Sequence, residues 1–88
     1  MICKRCIVEG RVQGVWYRDT TRRKALQLGV RGSATNLADG SVEVIACGES
    51  EAVEALCAWL WEGPSLSRVT SVRCEAVSTA GPEDFSIA

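Results

Sequence analysis

Gly10-Arg11-Val12-Gln13-Gly14-Val15-Trp16-Tyr17-Arg18 sets two glycines four positions apart and an arginine just behind them. These residue types at this spacing suit the binding of an anion. A dianion is costly to desolvate, so a protein holds it with several N–H donors that are already oriented. Gly10 and Gly14 lack Cβ atoms and let the chain turn back, so that the amides of Gln13, Gly14, Val15, Trp16, Tyr17 and Arg18 can point inward. A helix opening near Tyr17 adds the positive end of its dipole. Arg18 adds two parallel charge-assisted hydrogen bonds. The stretch is not a P-loop, since no G-x-x-x-x-G-K-[ST] occurs in the chain. On spacing alone it fits equally well a plain β-to-α turn carrying a surface arginine. The sequence contains no histidine, so imidazole acid–base chemistry is excluded.

The elements that must position this stretch are legible from periodicity. Residues 3–9 read as a β-run ended by Gly10. Tyr17–Leu28 reads as a helix with Thr21, Ala25 and Leu28 on one face and Gly29 just past its end. Residues 30–37 form a second β-segment, followed by the turn Ala38-Asp39-Gly40. In residues 41–47, Val42, Val44 and Ala46 face one way and Glu43, Ile45 and Cys47 the other. Ser50 is placed as an N-cap, with Glu51 and Glu54 in the first turn. Val53, Leu56, Cys57 and Leu60 follow as an apolar stripe that Gly63-Pro64 stops. Residues 69–78 make a fourth strand, Gly81-Pro82 a turn, and Phe85-Ser86-Ile87 a short final strand. The order βαββαβ plus a terminal strand predicts an α+β sandwich: one antiparallel sheet with both helices on one face and a short C-terminal fifth strand.

The 88 residues suit a single domain spanning 1–88, and 47% hydrophobic with 24% charged residues is a globular rather than a disordered balance. No apolar run approaches the length of a membrane span. The first residues lack the apolar core of a secretory signal, and a cytoplasmic protein is expected. Residues 1–31 hold eight basic residues against two acids, a balance of +6, while residues 32–88 come to −7. The positive half is either ordinary solvated surface or a field that draws in an anion, with Arg22-Arg23-Lys24 as its densest patch. Five cysteines are many for this length. Cys3-x-x-Cys6 resembles half a zinc site, but nothing completes it, and residues three apart on a strand face opposite ways. No metal site is expected. Cys6, Cys57 and Cys74 fall on inward positions and read as packed thiols. Cys3 and Cys47 fall on the outward face at opposite ends of neighbouring strands. A disulfide between them is possible there, although a reducing cytoplasm disfavours it. Trp59 and Trp61 are two apart on a helix, so one packs and the other lies at the edge.

At this point the chain resembles the acylphosphatase family. Gly10–Arg18 matches the pattern G-x-V-Q-G-V-x-[FY]-R, and residues 32–43, from Gly32 through Asn36, Asp39 and Gly40 to Glu43, match G-[FW]-V-x-N-x-x-D-G-x-V-E. The resemblance covers nearly the whole chain and implies a ferredoxin-like fold. It also implies hydrolysis of acylphosphates to a carboxylate and inorganic phosphate, without metal or cofactor. The family's catalytic arginine falls on Arg18 and its catalytic asparagine on Asn36. The phosphate-binding loop falls on Gln13, Gly14, Val15, Trp16, Tyr17 and Arg18. Without the resemblance, Asn36 before an Asp-Gly turn reads as turn chemistry. The chain departs from the pattern at Ser33, Ala34 and Thr35 and carries Trp16 at the variable loop position, which bears on substrate preference and rate. A carboxylate is a good leaving group, so the lack of a general acid is tolerable. The expected partner is a small acylphosphate, acting on a monomer. An RNA-binding module of the same architecture would need aromatics on the open sheet face. The outward residues Cys3, Arg5, Ile7, Glu9, Glu43, Ile45 and Cys47 include none, so no nucleic acid is expected. A regulatory domain that binds an anion without turnover is the remaining alternative, and the Arg18 and Asn36 pair argues against it.

Overall fold

A computed structural model describes residues 1–79 and 83–88; the expected Gly81-Pro82 turn lies outside the described residues. The elements in chain order are β1 (Ile2–Arg11), α1 (Tyr17–Leu28), β2 (Arg31–Asn36), β3 (Val42–Gly48), α2 (Ser50–Leu60), β4 (Arg68–Ala76) and β5 (Phe85–Ile87). They form one sheet in the order β4-β1-β3-β2-β5. The four longer strands pair antiparallel, but β5 pairs parallel to β2, with Gly32 opposite Phe85 and Ala34 opposite Ile87. The sheet is therefore mixed rather than antiparallel throughout. The direction of β5 follows from topology: β4 ends beside the start of β1, and the next strand begins beside the start of β2, so it runs the same way as β2.

The alternation within the strands sets the layers. Cys6 and Val8 of β1 and Val42, Val44 and Ala46 of β3 are wholly buried. They meet Tyr17, Thr21 and Ala25 of α1 and Val53, Leu56 and Leu60 of α2. Each fully buried Val or Leu in such a layer contributes roughly 1.5–3 kcal/mol. The other face of the sheet is laced with ion pairs: Arg5 lies 2.7 Å from Glu43 and 3.6 Å from Glu75, and Arg73 lies 3.7 Å from Glu9. The two carboxylates, Glu43 foremost, raise the Arg5 guanidinium above its ordinary value.

Several local expectations are corrected. β1 does not end at Gly10. It continues to Arg11 through a register shift between Glu9 and Gly10. Gly10 has φ +124°, and a Cβ there would stand 2.1 Å from the carbonyl oxygen of Arg68, so the glycine permits close strand approach instead of ending the strand. Glu49, not Ser50, is the N-cap of α2, and Ser50 begins the helix with its hydroxyl 3.3 Å from Glu54. α2 ends at Leu60, before Gly63, where a Cβ would meet the Tyr17 ring at 2.7 Å. The two tryptophans follow their spacing: Trp59 packs on Tyr17 with ring centroids 6.1 Å apart, while Trp61 is exposed.

The cysteines depart furthest from expectation. Cys6 and Cys74 are joined by a disulfide and are not packed thiols, and Cys74 is exposed. β1 is flanked on both sides, and the register places Cys6 opposite Cys74 of β4, a relation that face parity alone does not reveal. Cys57 is the free cysteine, its Sγ 3.6 Å from that of Cys6, and burial pushes its thiol up. Cys3 and Cys47 face each other across β1 and β3 and are also joined. Cys47, read as outward, is buried, because β3 is central and Cys3 and Arg31 are its neighbours in register.

Candidate active site

The segment between β1 and α1 is pinned at two points. Val12 and Val15 are buried, so the backbone between and beyond them is held against the core. Among the described residues, no main-chain or side-chain acceptor takes the N–H groups of residues 13–19. A run of unspent donors at a helix N-terminus is a ready anion site. Gly14 adopts φ +74°, and a Cβ there would meet nothing within 4 Å, so the backbone angle, not space, calls for glycine. Trp16 is the N-cap of α1 and stands at φ 66°, ψ 17°, without a side-chain cap. A left-handed backbone costs a non-glycine residue about 1–2 kcal/mol. Its carbonyl accepts the Thr20 N–H at 2.9 Å and the Thr20 hydroxyl at 2.8 Å, which fixes the first turn.

Two side chains of the stretch serve the scaffold. Tyr17 is buried, its hydroxyl donating to the Leu60 carbonyl at 2.6 Å, and burial pushes its phenol well above the ordinary value. Only its main chain is left to face a ligand. The Gln13 carboxamide donates through Nε2 to the carbonyls of Leu37 and Ser41, both at 2.8 Å. These two residues close the β2–β3 turn, where the Leu37 N–H donates to the Ser41 carbonyl at 2.8 Å. One side chain therefore ties the loop to the hairpin that carries Asn36.

Arg18 and Asn36 meet on a common group. The Ala88 carbonyl accepts from Arg18 Nη1 and, at 3.2 Å, from the Asn36 main-chain N–H. The Ala88 N–H donates to Ala34 at 3.0 Å, continuing the parallel pairing of β5 with β2. The side-chain oxygen of Asn36 is buried and has no hydrogen-bond partner among the described residues. Buried polar atoms are nearly always paired, so an orphaned acceptor in this place calls for a functional reason. Beside the loop lies a cavity of about 430 Å³ lined by Gly14, Trp16, Arg18, Asp19 and Ile87. Asp19 is engaged by Arg23 at 3.1 Å.

The structure thus gathers Gly14, Trp16 and Arg18 around one cavity and links Arg18 to Asn36, while Gln13 and Val15 anchor the loop. Ile87 and Ala88 were not legible as site residues, because only the pairing of the last strand with β2 brings them there. Among the described residues, one group of metal-ligand atoms lies close together, the sulfurs of Cys6, Cys57 and Cys74. Two of these are spent in a disulfide, and none lines the cavity.

A family model described as Acylphosphatase matches residues 4–87. The chain is similar to the Acylphosphatase of Nitrosococcus oceani, with 52% identity over 85 residues that cover 97% of this chain and 96% of that one. Its structure is similar to that of an acylphosphatase from Coxiella burnetii, with TM-score 0.94, 39% identity, and coverage of 99% of this chain and 92% of that chain. The acylphosphatase from Bacillus subtilis superposes with TM-score 0.95 at 34% identity, covering 100% and 99% respectively. Identity at this level over nearly the full length, together with the same fold, shows that the chain belongs to the acylphosphatase family.

Proposed function

We propose that this member of the acylphosphatase family, acting as one domain over residues 1–88, hydrolyses acylphosphates to a carboxylate and inorganic phosphate. The N–H groups of Gln13, Gly14, Val15, Trp16, Tyr17 and Arg18, with the Arg18 guanidinium, hold the phosphoryl oxygens. The guanidinium has five N–H donors, so its bond to Ala88 leaves others for the ligand. Asn36 holds the attacking water through its side-chain oxygen. The observation that carries this assignment is that orphaned, buried oxygen, on a residue whose main-chain N–H shares the Ala88 carbonyl with Arg18.

Phosphoryl transfer depends chiefly on positioning and on stabilising charge that spreads over the phosphoryl oxygens. The row of unspent amides and one guanidinium supply both. The leaving carboxylate is a weak base and departs without a proton donor. The proton of the water passes to a phosphoryl oxygen of the substrate, so the step needs no histidine and no metal. EDTA is accordingly expected to leave turnover intact; inactivation that added metal reverses would contradict this. All the residues assigned to the site come from one chain, and a monomer is the proposed working form. Its proposed place of action is the cytoplasm, and among the described residues no helix is long and apolar enough to cross a membrane.

The test compares two variants. Asn36→Ala is expected to lower kcat by at least ~10²-fold, while inorganic phosphate still inhibits competitively, as for loss of a preorganised dipole. Arg18→Ala is expected to abolish turnover and phosphate inhibition together. Unchanged turnover in Asn36→Ala would remove the role assigned to that residue.

A further inference from the structure

We propose that Trp16 and Ile87 form the wall of an acyl-binding recess that continues from the anion cradle and selects aromatic acylphosphates, an inference that rests on the hydrolytic function above. The cavity has two chemical ends. Gly14 and Arg18 supply the anion contact, while Trp16 and Ile87 supply apolar surface. Its volume of about 430 Å³ lies within the usual range for small-molecule sites and exceeds what a phosphoryl group needs.

Trp16 is 75% exposed and Ile87 42% exposed. Trp16 is also the one non-glycine residue with positive φ among the described residues. An indole left in water on a left-handed backbone gains nothing from folding at this position, so its use is to be sought in a ligand. Asp19, the other side chain at the rim, is turned to Arg23 at 3.1 Å, which leaves the indole and the isoleucine as the surfaces an acyl group meets.

The geometry of the reaction points the same way. In-line displacement puts the attacking water and the departing carboxylate on opposite sides of phosphorus. The water is assigned to Asn36, whose side-chain oxygen is buried and which lies outside the residues lining the cavity. Trp16 and Ile87, which line the cavity that Asn36 does not, are the apolar surfaces open to the acyl group. A phenyl ring there stacks offset on the indole, while an acetyl group leaves the indole uncovered.

The test measures kcat/KM for benzoyl phosphate and acetyl phosphate in the parent chain, Trp16→Gly and Ile87→Ser. Comparing the benzoyl-to-acetyl ratio between proteins cancels the intrinsic reactivity of the two anhydrides. The parent chain is expected to favour benzoyl phosphate about tenfold. Both variants are expected to lower that ratio at least about threefold, Trp16→Gly the more. A ratio equal to the parent's, with acetyl phosphate still cleaved, would overturn the recess and leave the hydrolytic function standing. Failure of the parent chain to cleave either compound would overturn the hydrolytic function and the recess together.

Discussion

Gln13 does at the residue scale what no backbone feature of the loop does. Its carboxamide nitrogen has two N–H donors, and both are used, one on Leu37 and one on Ser41 at 2.8 Å each. Those carbonyls belong to the turn after Asn36, so the loop donors and the Asn36 oxygen are held in one rigid unit. Gln13→Ala would remove two side-chain hydrogen bonds and leave the Leu37 and Ser41 carbonyls only their main-chain donors, Gly40 and Leu37, at about 0.5–1.5 kcal/mol per bond lost. For a domain of this size each kcal/mol shifts Tm by roughly 4–8 °C. The expected result is therefore a clear fall in Tm together with a fall in kcat/KM, because the cradle and the water-positioning oxygen lose their common mount. Thermal unfolding and steady-state kinetics of Gln13→Ala check both. A variant with parental Tm and parental kinetics would show that the staple is dispensable. The sequence places Gln13 in the loop but cannot reveal this role, since its partners are 24 and 28 positions away.

At the scale of elements, what was legible follows from local physics and what was not follows from long-range pairing. The bounds of α1 were legible at both ends, because Gly29 accepts the left-handed angle its C-cap needs and the Val30 N–H returns to the Ala25 carbonyl at 2.8 Å. The turn at Ala38-Asp39-Gly40 was legible from its composition. The direction of β5, the bulge at Gly10 and the pairing of Cys6 with Cys74 were not, because each depends on which strand lies alongside. The β2–β3 turn also carries a pH dependence. The Asp39 carboxylate accepts from the Ser41 hydroxyl at 2.5 Å and from the Ser41 N–H at 3.0 Å, and these bonds hold its pKa below the ordinary value. A lowered folded-state pKa means that the unfolded chain binds more protons. The stability that Asp39 contributes is thus fully present above the ordinary aspartate value of about 3.9 and is lost as pH falls through its lower folded value. Asp39→Asn keeps an acceptor oxygen but does not titrate. Its Tm is expected to fall less steeply than the parent's between pH 5 and pH 2 (roughly the range of acid titration), and parallel curves would refute the assignment.

At the scale of the whole molecule, the disulfides and the site occupy different parts of one sheet. Cys3–Cys47 and Cys6–Cys74 bind β1 to β3 and to β4, closing spans of 44 and 68 residues. The cradle, Asn36 and Ala88 depend instead on the loop after β1, the β2–β3 turn and β5. Loop-closure entropy assigns each crosslink about 4 kcal/mol, and because the two spans overlap their joint effect is less than the sum. Reduction is therefore expected to lower Tm by at least about 10 °C, from 2–4 kcal/mol at the per-degree sensitivity of a small domain. It is expected to leave kcat unchanged at temperatures well below the new transition. The thiol count fixes which state is present. Unfolded without reductant, the chain should show one titratable thiol, that of Cys57, and five after reduction. Unfolding is needed for the count because burial raises the Cys57 thiol in the native state. In a reducing compartment the protein would work in the five-thiol form, and its fold would have to stand on the buried layer between sheet and helices alone. A Tm that does not respond to reductant, in a sample shown to go from one thiol to five, would mean that the core already fixes the register of β1 and that the crosslinks add no constraint.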